Sequence, residues 1–251
     1  MINKLRRCRY GKMLFNSNDT GIGRALDLEG EWYQSELDLM GQFIREGDVV
    51  IDVGANIGSH TVYFAQKVGR QGVVIAFEPQ LYTFELLCSN IALNDLFNVI
   101  PERAAIGAAA GSTKVKLLDP FSRQNFGGLS IGGNEGIDVG VVPLDSLGLS
   151  RCRLIKIDVE GMECDVIMGA RDLLTRCRPF LYAENNRVEK SQNLIDLIKG
   201  LGYDVYEHMA PGWNPANFRG TDQNLVHGTY RESSLFCAPL SMNLELPLRR
   251  M

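Results

Sequence analysis

The segment DVEGME, Asp158 to Glu163, sets three carboxylates within six residues, directly after the strand-like run LIKI, Leu154 to Ile157. Glu184 closes the run Phe180 to Ala183 in the same manner. Carboxylates grouped at strand ends do one of two kinds of work. They take a proton from a hydroxyl within hydrogen-bond reach, or they hold a divalent cation that lowers the hydroxyl's pKa. The residue types leave both open, although no histidine joins the cluster, which favours the metal-free version. Asp158, Glu160 and Glu184 are the candidate catalytic residues. Glu163 falls in the first turn of the following helix, where an acid equally answers the helix dipole.

A second centre is VVIDVGANIGSH, Val49 to His60. An apolar run broken only by Asp52 reads as a buried strand. It stops at Gly54, and from Ile57 onward the chain has helical character. A strand, a glycine turn and a helix whose free N–H groups face the turn form the nucleotide site of doubly wound α/β proteins. A phosphate loop needs GxxxxGK[ST], and the lysine is missing. The dinucleotide motif GxGxxG also fails, since its second and third glycines would fall on Asn56 and Ser59. The middle glycine of that motif admits a pyrophosphate, so its loss argues for a ligand without one. Glu78 ends the next strand, about where an acid accepts hydrogen bonds from ribose hydroxyls. Asp52 suits a ligand with a cationic amino-acid portion. S-Adenosyl-L-methionine (SAM) meets these conditions. An NAD-linked oxidoreductase on a variant turn and a noncatalytic SAM-binding module are the alternatives.

These residues need a scaffold that gathers strand ends. GVVIAFEP, NVIPERAAIG, RLIKID, PFLYAEN, YDVYEHM and SLFCAP read as strands, and TKVKLL as a short antiparallel one. Helices are expected from about Leu81 to Asn94, from near Gly161, and from about Glu189 to Lys199, the last ending at Gly200. Over Glu31 to Arg45, Tyr33, Leu37, Met40 and Ile44 share one helical face. The expected fold is one doubly wound, mostly parallel α/β domain over residues 47–251. A helical N-terminal extension, residues 1–46, packs on the cofactor site. RQNFGGLSIGGNEG and GWNPANFRGTDQN are long for structureless connections, and such loops are usually functional. Asn125, Ser130, Trp213, Asn217 and Arg219, with Asn214 and Asn224, are therefore the expected substrate contacts.

Composition narrows the partners. A net charge of −4 gives no support to a nucleic-acid or anionic-membrane partner. No run approaches the roughly 18 apolar residues of a membrane span. The basic start, Lys4 to Arg9, is not followed by an apolar stretch of signal length. The six cysteines lack CxxC or zinc spacing and read as reduced thiols, so a cytoplasmic location is expected. His60, His208 and His227 lie too far apart in sequence to suggest a histidine-rich metal site.

Taken in order, GDVVIDVGANIG, FEP, LIKIDVEGMECDVIMGA and LYAEN resemble the FkbM-type SAM-dependent methyltransferases. The likeness runs from about Asp19 to Gly202-Tyr203. It implies the class I methyltransferase fold, a seven-stranded Rossmann-like sheet with its last strand inserted antiparallel. It implies methylation of a hydroxyl on a sugar, glycolipid or polyketide-type product, leaving S-adenosyl-L-homocysteine. By resemblance, Asp52, Gly54, Ala55, Asn56 and Gly58 lie beside the methionine moiety, and Glu78 and Pro79 beside the ribose. Arg103 and Ala104 then lie near the adenine, and Asp158, Glu160 and Glu163 near the transferred methyl. His60 stands where many relatives carry an aromatic residue. Methyl transfer to an alcohol needs the acceptor oxygen, methyl carbon and sulfur aligned, and a base for the hydroxyl proton.

Overall fold

The computed structural model describes the whole chain except residues 129–131, 133, 223, 225, 227, 229 and 230. Ser130 and His227 therefore lie outside the described residues. The chain opens with a hairpin, β1 (Asn3–Cys8) and β2 (Gly11–Asn16), then α1 (Ile22–Leu28) and α2 (Gln34–Met40). The alternating units follow as β3 (Val49–Val53), α3 (Ser59–Val68), β4 (Val73–Phe77), α4 (Leu81–Leu93) and β5 (Val99–Glu102). Three short strands, β6 (Ala105–Ile106), β7 (Gly111–Val115) and β8 (Ile137–Val142), form a separate small sheet. Then come β9 (Leu154–Ile157), α5 (Glu163–Met168), α6 (Arg171–Cys177), β10 (Phe180–Glu184) and α7 (Val188–Gly200). The chain ends with β11 (Tyr203–Pro211), β12 (Arg231–Pro239) and β13 (Arg249–Arg250).

Among the described residues the main sheet has the order β13-β11-β12-β10-β9-β3-β4-β5. The five strands from β10 to β5 run parallel, and β12 lies between β10 and β11, antiparallel to both. This is the expected doubly wound sheet with its inserted last strand. The two-residue β13 adds an eighth strand at the edge. β3 is buried at all five positions, as a central parallel strand covered on both faces must be. Side chains alternate across it. Ile51 and Val53 join the layer of Val166, Leu173 and Ile195, whereas Val50 joins Leu37, Phe64 and Leu87 on the opposite face.

The N-terminal extension is not purely helical. Its first elements are antiparallel strands, because Met13 and Phe15 alternate with more exposed neighbours. Both pack beside Ile22, Leu26, Ile57 and Leu86. The helix expected over Glu31 to Arg45 is shorter, opening after a left-handed Tyr33 (φ 41°) and capped by Gly41. Tyr33, Leu37, Met40 and Ile44 are nonetheless all buried. TKVKLL is antiparallel to β8 but belongs to the small sheet. The single helix expected after Gly161 is two, α5 and α6. Among the described residues no helix is long and apolar enough to cross a membrane.

Candidate active site

A cavity of about 530 Å³ opens where β3, β4, β9 and β10 end. The turn after β3 forms one wall. Gly54 takes a left-handed φ of +77°, and a Cβ there would lie 1.8 Å from the Asp158 carbonyl oxygen. Only glycine allows both that backbone and that approach. Ala55 and Asn56 continue the wall. Asn56 is also left-handed (φ 52°), a conformation asparagine tolerates. Gly58 opens α3 behind the wall. A Cβ on it would meet Leu87 Cδ1 at 2.7 Å, so its part is to pack α3 on α4.

Glu78 faces the cavity from the end of β4 and is 7% exposed. The Asn56 N–H donates to its Oε2 at 2.8 Å, and the Gln80 N–H and Thr83 Oγ1 each donate to Oε1 at 2.9 Å. Burial pushes its pKa up, and these donors pull the other way. A carboxylate offers about four acceptor positions, so three bonds fix the group and leave Oε2 able to accept another. Pro79 and Ala104 line the same end of the cavity; Arg103 is exposed and does not.

Asp52 is wholly buried and lies beneath the turn, outside the cavity lining. Thr61 Oγ1 donates to its Oδ2 at 2.6 Å, and Lys156 Nζ stands 3.6 Å from Oδ1. Lys156, directly across from Asp52 in the β3–β9 register, is 4% exposed. Its ammonium donates to Asp158 Oδ2 at 3.1 Å and to the Gly54 carbonyl at 3.0 Å. Burial alone would lower its pKa, but the carboxylates of Asp158 and Asp52 raise it, so it stays charged. The sequence reading missed this residue. The available signal was a lysine inside RLIKID, two residues before Asp158 and so on the same side of the strand.

Asp158, Glu160 and Glu184 line the cavity, each with an oxygen within 4.8 Å of the others'. Glu160 is left-handed (φ 55°), and its Oε2 accepts from Arg187 Nη2 at 3.1 Å. Burial, then the Asp158 charge, raises its pKa. Glu184 is 9% exposed, and burial, Asp158 and Glu160 push its pKa far above the carboxylate range. With Lys156 against Asp158 and Arg187 against Glu160, two of these three acids already have a cation beside them. Glu163 is elsewhere: its Oε1 accepts the Gly161 N–H at 2.9 Å, closing the turn before α5. Glu232 on β12, absent from the sequence reading, also lines this wall.

The N-terminal segment contributes Thr20, Trp32, Tyr33 and Glu36 to the lining. Glu36 Oε2 and His60 Nε2 lie 3.1 Å apart. Burial, then the Asp158 charge, raises Glu36 to about 8. Burial, then Lys156, lowers His60 to about 4. Both are neutral near pH 7. Tyr182 lines the cavity too, with its hydroxyl 2.8 Å from His208 Nδ1.

Of the loop residues, Asn125 lines the cavity, whereas Trp213, Asn214, Asn217, Arg219 and Asn224 do not. Asn214 Nδ2 donates to Glu31 Oε1 at 2.7 Å, and Arg219 Nη2 to the Leu26 carbonyl at 3.1 Å. Asn217 Nδ2 donates to the Thr221 carbonyl at 2.7 Å. These groups tie the loop to itself and to the N-terminal segment.

The strand order and the cavity at the strand ends define a class I methyltransferase fold. Residues 52–205 match the methyltransferase FkbM domain, and the chain belongs to that family. It is 31% identical over 162 residues to hexuronic acid methyltransferase AglP of Haloferax volcanii, covering 61% of this chain and 62% of AglP, under two thirds of that protein. It is 29% identical over 204 residues to methyltransferase sdnD of Sordaria araneosa, covering 67% of this chain and 78% of that one. The methyltransferase FkbM structure from Methylobacillus flagellatus superposes with a TM-score of 0.51 at 17% identity, over 75% of this chain and 43% of the other.

Proposed function

We propose that the protein is a SAM-dependent methyltransferase that methylates a hydroxyl on a sugar, glycolipid or glycosylated small molecule. The observation that carries this reading is one cavity lined together by the Gly54 turn, Glu78, Asp158, Glu160 and Glu184. Its volume, about 530 Å³, lies within the range of small-molecule sites. A relative named for methylating hexuronic acid supports a sugar acceptor.

The residues present fit the donor. The turn at Gly54 has no room for a Cβ, so the ligand meets bare backbone there. Glu78, held by three donors, keeps an acceptor position for a ribose hydroxyl. Ala104, Ala105 and Ile106 give the apolar wall an adenine requires. When bound, SAM supplies a methyl group already activated by its sulfonium, and the carboxylate-rich wall favours that positive charge. Asp158, held by Lys156, shares the cavity lining with Glu160 and Glu184, and this group of acids supplies the base for the acceptor's proton. The N-terminal segment, residues 1–46, closes the cavity over the 47–251 domain.

Calorimetric titration with S-adenosyl-L-homocysteine and with NADH is the first test. The homocysteine ligand is expected to bind, and NADH alone binding would reverse the cofactor assignment. Incubation with methyl-labelled SAM and a panel of cell-extract glycans then tests the acceptor class, label in a non-sugar fraction being the contrary result.

A further inference from the structure

Glu232 reaches the carboxylate wall from β12, two residues before Ser234, which pairs with Glu184 across the β10–β12 ladder. The Asn186 side chain spans the two acids. Its Nδ2 donates to Glu184 Oε1 at 2.8 Å and to Glu232 Oε1 at 2.6 Å. The amide is held this way round because its Oδ1 accepts the Ser233 N–H at 3.0 Å. Burial and the Asp158 charge push both Glu184 and Glu232 up, and the two carboxyls act on each other directly. Tyr33 hydrogen-bonds Glu232 from the N-terminal segment. Asp158 and Glu160 face the pair from the β9 side, and Glu36 faces it from α2. Two carboxyls this close, opposite two more, do not both ionise.

Two other acids of the wall are already engaged by cations. Asp158 is paired with Lys156, and Glu160 with Arg187, each at 3.1 Å. Among the described residues no cation is paired with Glu184 or Glu232, so the repulsion between them leaves a single negative charge on the pair. Given the methyl-transfer reading above, we infer that Glu184 and Glu232, spanned by Asn186, form one proton-sharing pair, and that this pair takes the acceptor's hydroxyl proton. The acceptor O–H bond breaks and its proton goes to the ionised oxygen of the pair. The acceptor oxygen bonds the methyl carbon as the carbon–sulfur bond breaks, its electron pair remaining on sulfur. The pair ends the step as two neutral acids and returns one proton to water.

Infrared spectroscopy of the full chain in neutral buffer tests the sharing directly. A carboxylic-acid C=O band belonging to the pair is expected in the wild type. It should vanish in both Glu184→Gln and Glu232→Gln and persist in Glu36→Gln. Its survival in either of the first two variants overturns the shared proton. Both variants should keep wild-type affinity for S-adenosyl-L-homocysteine, which confirms that they fold. Label transfer from SAM to the extract glycans should fall about 10²–10⁴-fold in each; wild-type transfer by Glu232→Gln overturns the catalytic role. A wild type that fails to bind S-adenosyl-L-homocysteine would sink the methyl-transfer reading instead, and the infrared result would still decide the pair.

Discussion

Gly54 and Asp158 meet backbone to backbone. The space a Cβ would need on the first is filled by the carbonyl oxygen of the second, 1.8 Å away. The turn after β3 and the loop after β9 are thereby locked into one surface, and the cavity floor is set before any ligand arrives.

Gly54→Ala should break that lock. The left-handed backbone alone costs an L-residue about 1–2 kcal/mol, and the displaced Asp158 carbonyl adds to it. The variant is expected to melt lower and to lose S-adenosyl-L-homocysteine binding while keeping a native circular dichroism spectrum. Wild-type affinity would mean that the turn does not approach the ligand.

Glu78→Ala removes the acceptor for three donors, the Asn56 N–H, the Gln80 N–H and Thr83 Oγ1. Ligand affinity should fall by roughly 1.5–3 kcal/mol, the range for a hydrogen bond to a charged group. Titration calorimetry measures this. Thr83→Val, which spares the carboxylate, is the control and should alter stability more than affinity.

Lys156→Met leaves Asp52 buried with no cation. Breaking a buried pair by removing one partner costs about 3–5 kcal/mol. Urea denaturation should register a loss of that order, and adding Asp52→Asn should recover part of it. If the single variant is as stable as wild type, Lys156 is not what balances the buried acid.

Glu36 and His60 give the fold opposed pH dependences. Burial raises Glu36 from 4.5 to about 8, so the folded chain holds a proton that the unfolded chain has released. Its stabilisation is complete below 4.5 and is lost as pH rises through about 8. His60 is depressed from 6.5 to about 4, so its contribution is present above 6.5 and lost as pH falls towards 4. Melting temperature should therefore decline between pH 6.5 and about 8, less steeply in Glu36→Gln. Equal slopes in the two proteins would count against a buried neutral Glu36.

Asp158→Asn keeps the shape and removes the charge. It should retain S-adenosyl-L-homocysteine and, if Asp158 contributes to proton transfer or to aligning the donor, lose most label transfer. Chelator should leave the wild type active, because Lys156 already stands 3.1 Å from this carboxylate. Inhibition by chelator with recovery on adding manganese would assign Asp158, Glu160 and Glu184 to a cation instead.

The central sheet was legible because its parallel strands are mostly apolar runs, and VVIAF, LIKI and FLYA each end at an acid, Glu78, Asp158 and Glu184, that lines the cavity. The turn was legible from its glycines and from Glu78. The hairpin was not, although Met13 and Phe15 alternate, since two short strands give too few periods to stand out. Lys156 and Glu232 were hidden for another reason. Each matters through a partner distant in sequence, Asp52 across the β3–β9 ladder and Glu184 on the neighbouring strand. Charge pairing of that kind exists only after the sheet has formed. The tyrosine at position 33 was read as a core residue alone; it is buried, yet it also lines the cavity.

The FkbM match begins at residue 52 and ends at residue 205, yet Thr20, Trp32, Tyr33 and Glu36 before it, and Val226, Glu232 and Ser234 after it, wall the same cavity. The family signature thus contains the turn, Glu78, Asp158, Glu160 and Glu184 but only part of the cavity lining. Chimaeras exchanging both flanks together between two relatives would be expected to exchange acceptor preference, while each keeps the central segment's way of holding the donor.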